Sequence, residues 1–348
     1  MKRVAFEMKR VLFADDSSLM RKLVFQTLKE GGFEVILASD GKEAVEKALN
    51  ERPDAAVLDI RMPKMDGISA LREIAPLGIP VVMFSSLTRE DSQVTMDALE
   101  AGAFDFVLKP GGIVTLDISE VKGELLRKVK AAIVSKRIPL VRRVAIGPKE
   151  KCTSASPANA ALLVAASTGG PSFVRDLVQS LDGGGRYAVL IVQHMPPVFT
   201  KFFAERISSS SRIPVREASN GEPILEGVAY LAPGDYHMEV SMDPNPRIIL
   251  HQGPKINYVR PSADPLFISA ARRFGRKTVA VILTGIGSDG TNGAIAVKAN
   301  GGTVIAQDEK TSVVYGMPKN VAESGSADFI LPFDEIPDRI NEIFANIV

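Results

Sequence analysis

The sequence predicts an α/β protein with two domains, each built on a doubly wound parallel sheet. Three observations lead to this class. With 348 residues, the chain suits two domains better than one large core. Short apolar runs alternate with segments of helical period in two separate regions. A stretch rich in basic residues, proline, glycine and serine divides those regions, as is typical of interdomain linkers. We therefore expect a first domain at 8–135, a linker at 136–159 and a larger second domain at 160–348.

The first domain contains five apolar runs, separated by helical segments such as Ser17–Gly31 and Gly41–Asn50. Short apolar runs predict strands that are buried on both faces, as in parallel sheets. The predicted strands are Arg10–Ala14, Phe33–Ala38, Ala55–Asp59, Val81–Ser85 and Phe104–Leu108. Five successive βα units give a five-stranded, doubly wound sheet. At the start of the chain, Met1-Lys2-Arg3-Val4 is echoed from Met8 onward, so Met8 is an alternative start of translation.

The second domain shows the same alternation. Its predicted strands are Ala161–Ala165, Ala188–Gln193, Thr278–Thr284 and Thr303–Ala306, and its predicted helices are Ser172–Gln179, Phe199–Ser208, Pro265–Phe274 and Asn292–Ala299. Tyr230–Pro233 and Arg247–His251 differ, because turn-rich segments flank them. We expect these two segments to form a small antiparallel excursion from the second α/β sheet.

The composition limits the functions to be considered. The chain is 45% hydrophobic and 24% charged, with a formal net charge of +1. This balance gives no general attraction to nucleic acid or to acidic membranes. The single cysteine, Cys152, cannot form an internal disulfide, and no long apolar run predicts membrane insertion. We therefore expect a cytoplasmic protein that binds no nucleic acid.

Charged and polar side chains follow the predicted strands of the first domain. Asp15 and Asp16 follow the first strand, Asp59 ends the third, Ser85 ends the fourth, and Lys109 follows the fifth. Ligands of such sheets bind beyond the carboxyl ends of the strands. Carboxylates that converge there repel one another, and a hard divalent cation such as Mg²⁺ relieves the repulsion. Helix capping explains one or two of these residues but not the lysine and the acids together.

This arrangement resembles the receiver domains of bacterial response regulators, which have a flavodoxin-like fold. The resemblance implies that Asp59 accepts a phosphoryl group from a histidine kinase, while Asp16 and Asp59 hold Mg²⁺. It also implies that Asp15 assists the metal and that Ser85 and Lys109 contact the phosphoryl oxygens. Phe106 falls where the family carries an aromatic switch residue.

In the second domain, Ser167 lies in a glycine-rich turn between a predicted strand and a helix. The turn resembles the nucleophile elbow of serine hydrolases, although glycine-rich turns also cradle phosphate or simply allow close packing. A serine nucleophile needs a base, and the chain has three histidines, His194, His237 and His251. His194 ends a buried strand, and Asp289 occupies a comparable position after another strand. Each histidine taken singly also suits a structural role.

The loop around Asp289 supports a second interpretation. Gly285, Gly287 and Gly290 match the G-x-G-x-x-G pattern of dinucleotide-binding proteins, and Asp308 follows the next strand. This pattern predicts a nicotinamide cofactor. However, it places Asp289 at the turn where the pyrophosphate binds, and the two anions repel each other.

Five short motifs occur in the second domain in this order: Ala165–Pro171, Gln193–Pro197, Ala232–Asp235, Arg260–Ser262 and Ile282–Gly285. Together with the first domain, they resemble the protein-glutamate methylesterases of bacterial chemotaxis, the CheB family. The resemblance implies that Ser167 is the nucleophile, His194 the general base and acid, and Asp289 the residue that orients it. It implies oxyanion contacts near Thr168 and at the backbone of Ile286.

Two residues depart from the family pattern: Ile286 stands where methionine is common, and Ser288 stands where asparagine is usual. The resemblance also implies the substrates, which are methyl-accepting chemotaxis receptors. Their glutamate methyl esters are hydrolysed and their glutamines deamidated, with no cofactor for the esterase chemistry. A second domain that only binds a partner is the alternative from another function class.

Overall fold

The computed structural model of the protein describes residues 8–110, 118–135, 156–181 and 185–347. The chain divides into two compact units, Met1–Arg137 and Ile138–Val348. Residues 1–7, Cys152 and most of the predicted linker, 136–155, lie outside the described residues. The described end of that linker packs within the second unit, where Ala158 is fully buried and its N–H donates to the carbonyl of Ile224 at 2.9 Å.

The first unit contains the predicted five-stranded parallel sheet, with strand order β2-β1-β3-β4-β5. Its strands are β1 (Arg10–Ala14), β2 (Glu34–Ala38), β3 (Ala55–Asp59), β4 (Val81–Ser85) and β5 (Asp105–Leu108). Its helices are α1 (Ser18–Glu30), α2 (Gly41–Glu51), α3 (Gly67–Ile74), α4 (Arg89–Glu100) and α5 (Ile118–Val134). The sequence prediction is confirmed to within a residue at each of these strands.

Local sequence explains why the first four helices begin where they do. Each starts at a residue whose side chain accepts a backbone N–H from the first turn, and these caps are Ser17, Asp40, Asp66 and Thr88. The strands between the helices are apolar, and β3 and β4 are buried along their whole length. In the core, the rings of Phe13 and Phe84 pack edge to face at 5.7 Å.

The second unit contains a seven-stranded parallel sheet with the order β14-β13-β12-β6-β7-β9-β8. Its strands are β6 (Ala161–Ala166), β7 (Ala188–Gln193), β8 (Val215–Glu217), β9 (Ala229–Leu231), β12 (Thr278–Ile282), β13 (Thr303–Gln307) and β14 (Phe329–Leu331). Its helices are α6 (Gly170–Ser180), α7 (Phe199–Ser210), α8 (Ala263–Phe274), α9 (Thr291–Ala299), α10 (Met317–Glu323) and α11 (Ile336–Ile347). Within the described ranges, no helix is long and apolar enough to cross a bilayer.

A small antiparallel sheet is present, but one of its two predicted strands is wrong. The pair consists of β10 (His237–Val240) and β11 (Ile248–His251), so the prediction at Arg247–His251 is confirmed. The segment predicted at Tyr230–Pro233 instead contributes to β9, which is buried and parallel to both β7 and β8. Three-residue strands such as β8 carry too little periodicity to be predicted, and without β8 the parallel setting of β9 is hidden.

The order of the seven strands creates a crevice beside β6. From β6 the chain builds outward through β7, and later returns to the other side of β6 with β12. At such a switch point the loops that follow two adjacent strands diverge, which opens a binding crevice at their carboxyl ends. The loops after β12, β6 and β7 therefore border the same crevice.

The first unit also holds a buried ion pair. Lys128 of α5 lies 3.0 Å from Oδ1 of Asp105 and 2.8 Å from Oε1 of Glu124, and it donates to the carbonyl of Phe106 at 2.6 Å. Burial alone lowers the pKa of Lys128, but the two carboxylates more than offset this effect and raise it. The pair joins α5 to β5.

We expect Lys128→Met to destabilise the first unit by about 3–5 kcal/mol, because Asp105 then keeps a buried charge without its cation. The chain has no tryptophan and all five tyrosines lie in the second unit, so native-state hydrogen exchange of the β5 amides is the suitable measurement. The double variant Lys128→Met with Asp105→Leu is the control and should recover most of the loss. Equal destabilisation of the two variants would contradict a role for charge pairing.

Candidate active site

Three predicted residues follow three neighbouring strands of the larger sheet. Ser167 comes directly after β6, His194 directly after β7, and Asp289 in the loop after β12. Backbone hydrogen bonds continue past the strand ends, since the N–H of His194 donates to Ala166 at 3.0 Å and that of Ser167 donates to Thr284 at 3.0 Å. The sheet thus brings the three residues to one edge, as their positions after strands predicted.

His194 and Asp289 form a direct hydrogen bond. Nε2 of His194 lies 2.8 Å from Oδ2 of Asp289, and both side chains are largely buried. This pairing leaves Nδ1 as the ring nitrogen that is available to a reacting group. Among the described residues, Oγ of Ser167 has no hydrogen bond to the ring. The structure therefore joins the histidine to the acid and places the serine on the adjacent strand end.

The Asp289 carboxylate accepts hydrogen bonds on both oxygens. Besides His194, its donors are the hydroxyl of Ser262 at 2.5 Å, the N–H of Ala263 at 2.7 Å and the side-chain amide of Asn257 at 3.3 Å. Burial by itself raises the pKa of Asp289, but His194 and the other donors outweigh it and lower the pKa to about 2. The loop that matches a dinucleotide-binding pattern therefore serves here to hold an ionised carboxylate beside a histidine.

Close packing fixes the serine turn between its neighbours. A Cβ on Gly285 would lie 2.8 Å from Cβ of Ser167 and 2.4 Å from Sδ of Met317, so only glycine allows this approach. Gln193, which is buried, donates from Nε2 to the carbonyl of Ser167 at 3.0 Å and to that of His194 at 3.3 Å. The amide of Gln193 thus links the two strand ends that carry the candidate serine and histidine.

Sequence reasoning missed the supporting roles of Gln193, Ser262 and Asn257. Gln193 and Ser262 stood in motifs that were recognised, next to His194 and after Arg260-Pro261, and a close reading of polar residues in those motifs could have found them. Asn257 had no such signal. It lies in a turn far from Asp289 along the chain, and only the tertiary structure brings the two side chains together.

The other two histidines have structural partners. His237 is fully buried, with Nε2 3.0 Å from the carbonyl of Pro254 and Nδ1 accepting the N–H of Ser262 at 3.2 Å. Burial lowers the pKa of His237, which keeps it neutral. His251 lies 3.2 Å from Glu239 across the antiparallel pair. His237 thus supports the segment that binds Asp289, and His251 lies opposite it on the strand pair, with the two ring centres 5.3 Å apart.

Two backbone N–H groups are available near Ser167. Within the described parts of the chain, neither Thr168 nor Ile286 donates its N–H in a hydrogen bond. Thr168 follows Ser167 directly, and Ile286 follows Gly285, where an added Cβ would lie only 2.8 Å from Cβ of Ser167. The side chain at position 286 is irrelevant to such donation, so isoleucine serves as well as methionine.

A second group of polar residues lies in the first unit. Oxygen atoms of Asp15, Asp16 and Asp59 all lie within 4.8 Å of one another, which is the oxygen-rich set that Mg²⁺ prefers. Nζ of Lys109 lies 2.9 Å from Asp15 and 2.8 Å from Asp59. Burial raises the pKa of Asp59 to about 6, although Lys109 opposes the rise. Burial by itself lowers the pKa of Lys109, but the same two carboxylates outweigh burial, so the pKa is raised.

Ser85 and Phe106 lie on the adjacent strands β4 and β5 and have other partners. The hydroxyl of Ser85 lies 2.8 Å from that of Thr95 in α4. The ring of Phe106 is buried, with the Lys128 ammonium 5.0 Å from its centre. The structure thus brings the three aspartates and the lysine together and sets Ser85 and Phe106 beside them in the sheet.

Comparison with known proteins matches a family to each of the two units. A family model described as CheB methylesterase matches residues 162–340, and one described as response regulator receiver domain matches residues 11–118. A Pyrococcus abyssi protein named protein-glutamate methylesterase/protein-glutamine glutaminase is 44% identical over 339 residues, covering 95% of this chain and 92% of the relative. A Thermotoga maritima protein of the same name is 42% identical over 346 residues, covering 96% and 98%.

The crystal structure of the Thermotoga maritima CheB methylesterase catalytic domain aligns with a TM-score of 0.51 and 42% identity. It covers 54% of this chain and 98% of that one. Fold, site and matches together define a response regulator in which a flavodoxin-like receiver domain precedes an α/β methylesterase-type domain. The chain belongs to the CheB methylesterase family, which confirms the resemblance inferred from its motifs.

The support for Asp289 can be tested through Ser262. We expect Ser262→Ala to lower the free energy of unfolding of the second unit by roughly 2–4 kcal/mol, from a lost hydrogen bond to a charge and a lost cap of α8. Urea unfolding followed by tyrosine fluorescence measures it. The matched control is Ser211→Ala, a buried serine bound only to backbone carbonyls, for which about 1 kcal/mol is expected.

The same variant carries a pH test. Because the folded-state pKa of Asp289 is lowered to about 2, the stability from its ionised form is complete above about pH 4 and is lost as the pH falls toward 2. The difference between wild type and Ser262→Ala should shrink over that window. A difference that is independent of pH would show that Ser262 acts only as a helix cap.

Proposed function

We propose that this protein hydrolyses glutamate methyl esters on methyl-accepting chemotaxis receptors and releases methanol, using Ser167, His194 and Asp289. The observation that carries the proposal is the hydrogen-bonded pair of His194 and Asp289 beside Ser167, at the carboxyl end of adjacent strands. Relatives that match over 95% and 96% of this chain and are named protein-glutamate methylesterase/protein-glutamine glutaminase support ester hydrolysis at protein glutamates. The composition and the lone cysteine support a cytoplasmic location.

In the proposed reaction, Oγ of Ser167 attacks the ester carbonyl of the glutamate side chain. Nδ1 of His194 takes the hydroxyl proton, since Nε2 is bound to Asp289. Asp289 stays ionised, as its low pKa requires, and stabilises the imidazolium that forms. The backbone N–H groups of Thr168 and Ile286 stabilise the negative charge on the carbonyl oxygen.

The tetrahedral intermediate then breaks down. His194 returns its proton to the departing methoxide, so methanol leaves and the glutamyl group remains as an ester of Ser167. Water, deprotonated by the same nitrogen, hydrolyses that ester and regenerates the serine. Attack on a receptor glutamine gives the same acyl-enzyme with ammonia as leaving group, so we propose deamidation as a second activity. No step requires a cofactor.

The first test is Ser167→Ala, measured as methanol release from methylated receptor membranes. Loss of the nucleophile of a serine hydrolase lowers turnover by about 10⁶. His194→Ala should be nearly as severe, and Asp289→Asn should lower turnover by about 10⁴, because the amide favours the wrong histidine tautomer. His251→Ala is the control and should retain turnover. Normal release by folded Ser167→Ala would overturn the proposal.

A serine-directed fluorophosphonate separates this proposal from a domain that only binds a partner. We expect labelling of the wild-type chain and none of Ser167→Ala. A wild-type serine that stays unlabelled and inactive toward receptor esters would favour the binding role.

We further propose that residues 8–135 form a receiver domain that is phosphorylated on Asp59 by a chemotaxis histidine kinase. Asp16 and Asp59 would hold Mg²⁺ with help from Asp15, and the metal would neutralise phosphoryl charge during transfer. Lys109 and Ser85 would contact the phosphoryl oxygens, and Phe106 would respond as the switch. The support is the set of three aspartates whose oxygen atoms lie within 4.8 Å of one another, together with Lys109, which lies 2.8 Å from Asp59.

We propose that phosphorylation of Asp59 relieves inhibition by the receiver domain. Such regulation requires the phosphoryl group to favour one arrangement of the two domains over another. Asp59→Asn should therefore stay at basal methanol release when a phosphodonor and Mg²⁺ are added, whereas the wild type should rise. A fragment of residues 160–348 should exceed the unphosphorylated full-length chain. If the folded fragment is no faster, the receiver activates directly instead of inhibiting.

A further inference from the structure

An exposed tyrosine lies at the tip of a hairpin beside the candidate site. Ile256 and Val259 exchange two backbone hydrogen bonds of 3.1 and 3.0 Å, which closes a two-residue turn over Asn257 and Tyr258. Both turn residues have positive φ, 52° and 64°. Turns with this pair of conformations favour Asn followed by Gly, so the asparagine suits the turn and the tyrosine does not.

Nothing in the fold accounts for a tyrosine at this position. Tyr258 is 96% exposed, and among the described residues its side chain makes no hydrogen bond, ion pair or ring contact. A bulky residue with positive φ costs about 1–2 kcal/mol relative to glycine. The chain therefore accepts a local cost and gains no packing, and strained backbone of this kind concentrates at functional sites.

The hairpin is tied to the site by its other turn residue. The side-chain amide of Asn257 donates to Asp289 at 3.3 Å and to Asp264 at 3.2 Å. Asp289 is in turn the partner of His194. Tyr258 is thus one residue away from a direct contact with the candidate acid, and its position is fixed by that contact.

The base of the hairpin is fixed to the loop that follows His194. Arg260 lies 2.6 Å from Asp235, and Asp235 belongs to a turn in which Gly234 packs on Pro196 and Pro197. A Cβ on Gly234 would lie 2.3 Å from the nitrogen of Pro197. The hairpin therefore has a rigid connection to both loops that carry His194 and Asp289.

Val198, the residue after Pro197, is likewise an exposed residue other than glycine with positive φ. Its φ is 74°, which is a marked outlier for a β-branched side chain, and it is 39% exposed. Two apolar side chains with unfavourable backbone conformations thus stand on the two connected loops around the site. Neither is placed there by burial.

From these observations we propose that Tyr258, assisted by Val198, is a specificity-determining contact for the protein substrate. The ring packs against aliphatic side-chain surface of the receptor segment next to the esterified glutamate, and a rigid aromatic side chain provides such contact area with little loss of conformational entropy. The inference rests on the proposed function and adds the residue that distinguishes a receptor from a small ester.

The test compares Tyr258→Asn with wild type on two substrates, methylated receptor membranes and a small γ-methyl ester of N-acetylglutamate amide. Asparagine tolerates positive φ and keeps the turn. We expect KM for the receptor to rise about tenfold with little change in kcat, as for loss of an aromatic anchor, and the small ester to be unaffected. Tyr258→Phe should behave as wild type, because it retains the ring.

The matched control is Ile330→Thr, which removes an apolar side chain that is 51% exposed on the edge strand β14 and should leave KM unchanged. The thermal midpoint of Tyr258→Gly should equal or exceed that of wild type, since the backbone cost is removed. A lower midpoint would show that Tyr258 serves the fold and would overturn the inference.

The remaining outcomes are also decisive. If Tyr258→Asn has a KM for the receptor within twofold of wild type, the inference is overturned but the proposed function stands. The same holds if activity on the small ester falls as much as activity on the receptor, because the hairpin would then only position Asp289. Failure of the wild-type chain to release methanol from receptors overturns the proposed function, and the inference falls with it.

Discussion

The supply of hydrogen-bond donors to buried carboxylates governs both sites. Asp59 and Asp289 each lie at the carboxyl end of a parallel sheet and each is almost fully buried. Burial alone raises the pKa of a carboxyl group, so the donors decide the outcome. Asp289 has four donors and a pKa of about 2, whereas Asp59 depends mainly on Lys109, faces the charge of Asp15, and has a pKa of about 6.

The difference suits different tasks. A carboxylate that orients a histidine must remain ionised and still, and the hydroxyl, amide and backbone N–H groups around Asp289 satisfy both needs. A carboxylate that receives a phosphoryl group must accept further charge, and a site with spare negative charge binds a divalent cation readily. The same fold class therefore provides a carboxylate with a lowered pKa in one unit and a carboxylate with a raised pKa in the other.

Precise placement in the second unit depends on contacts made by residues outside the reacting group. Gln193 bridges the carbonyls of Ser167 and His194, Gly285 allows the serine turn to approach the β12 loop, and neutral His237 holds the backbone of Ser262. The contacts of Gln193 and Gly285 with Ser167, and that of His237 with Ser262, join segments that are distant in sequence. A hydrolase site requires such preorganisation, because displacing a reacting group by about one ångström slows catalysis strongly.

The sequence by itself determined the two-domain α/β class, nearly all long strands and the residues that follow them. Buried parallel strands are continuous apolar runs, and ligands bind at their carboxyl ends, so position made Ser167, His194, Asp289 and Asp59 candidates. The role expected of each came from the resemblance to known families. Only the tertiary structure decided that β9 is parallel and that Ser262 and Asn257 hold Asp289. Short strands carry no period and long-range hydrogen bonds leave no spacing in the sequence, because both depend on how distant segments pack.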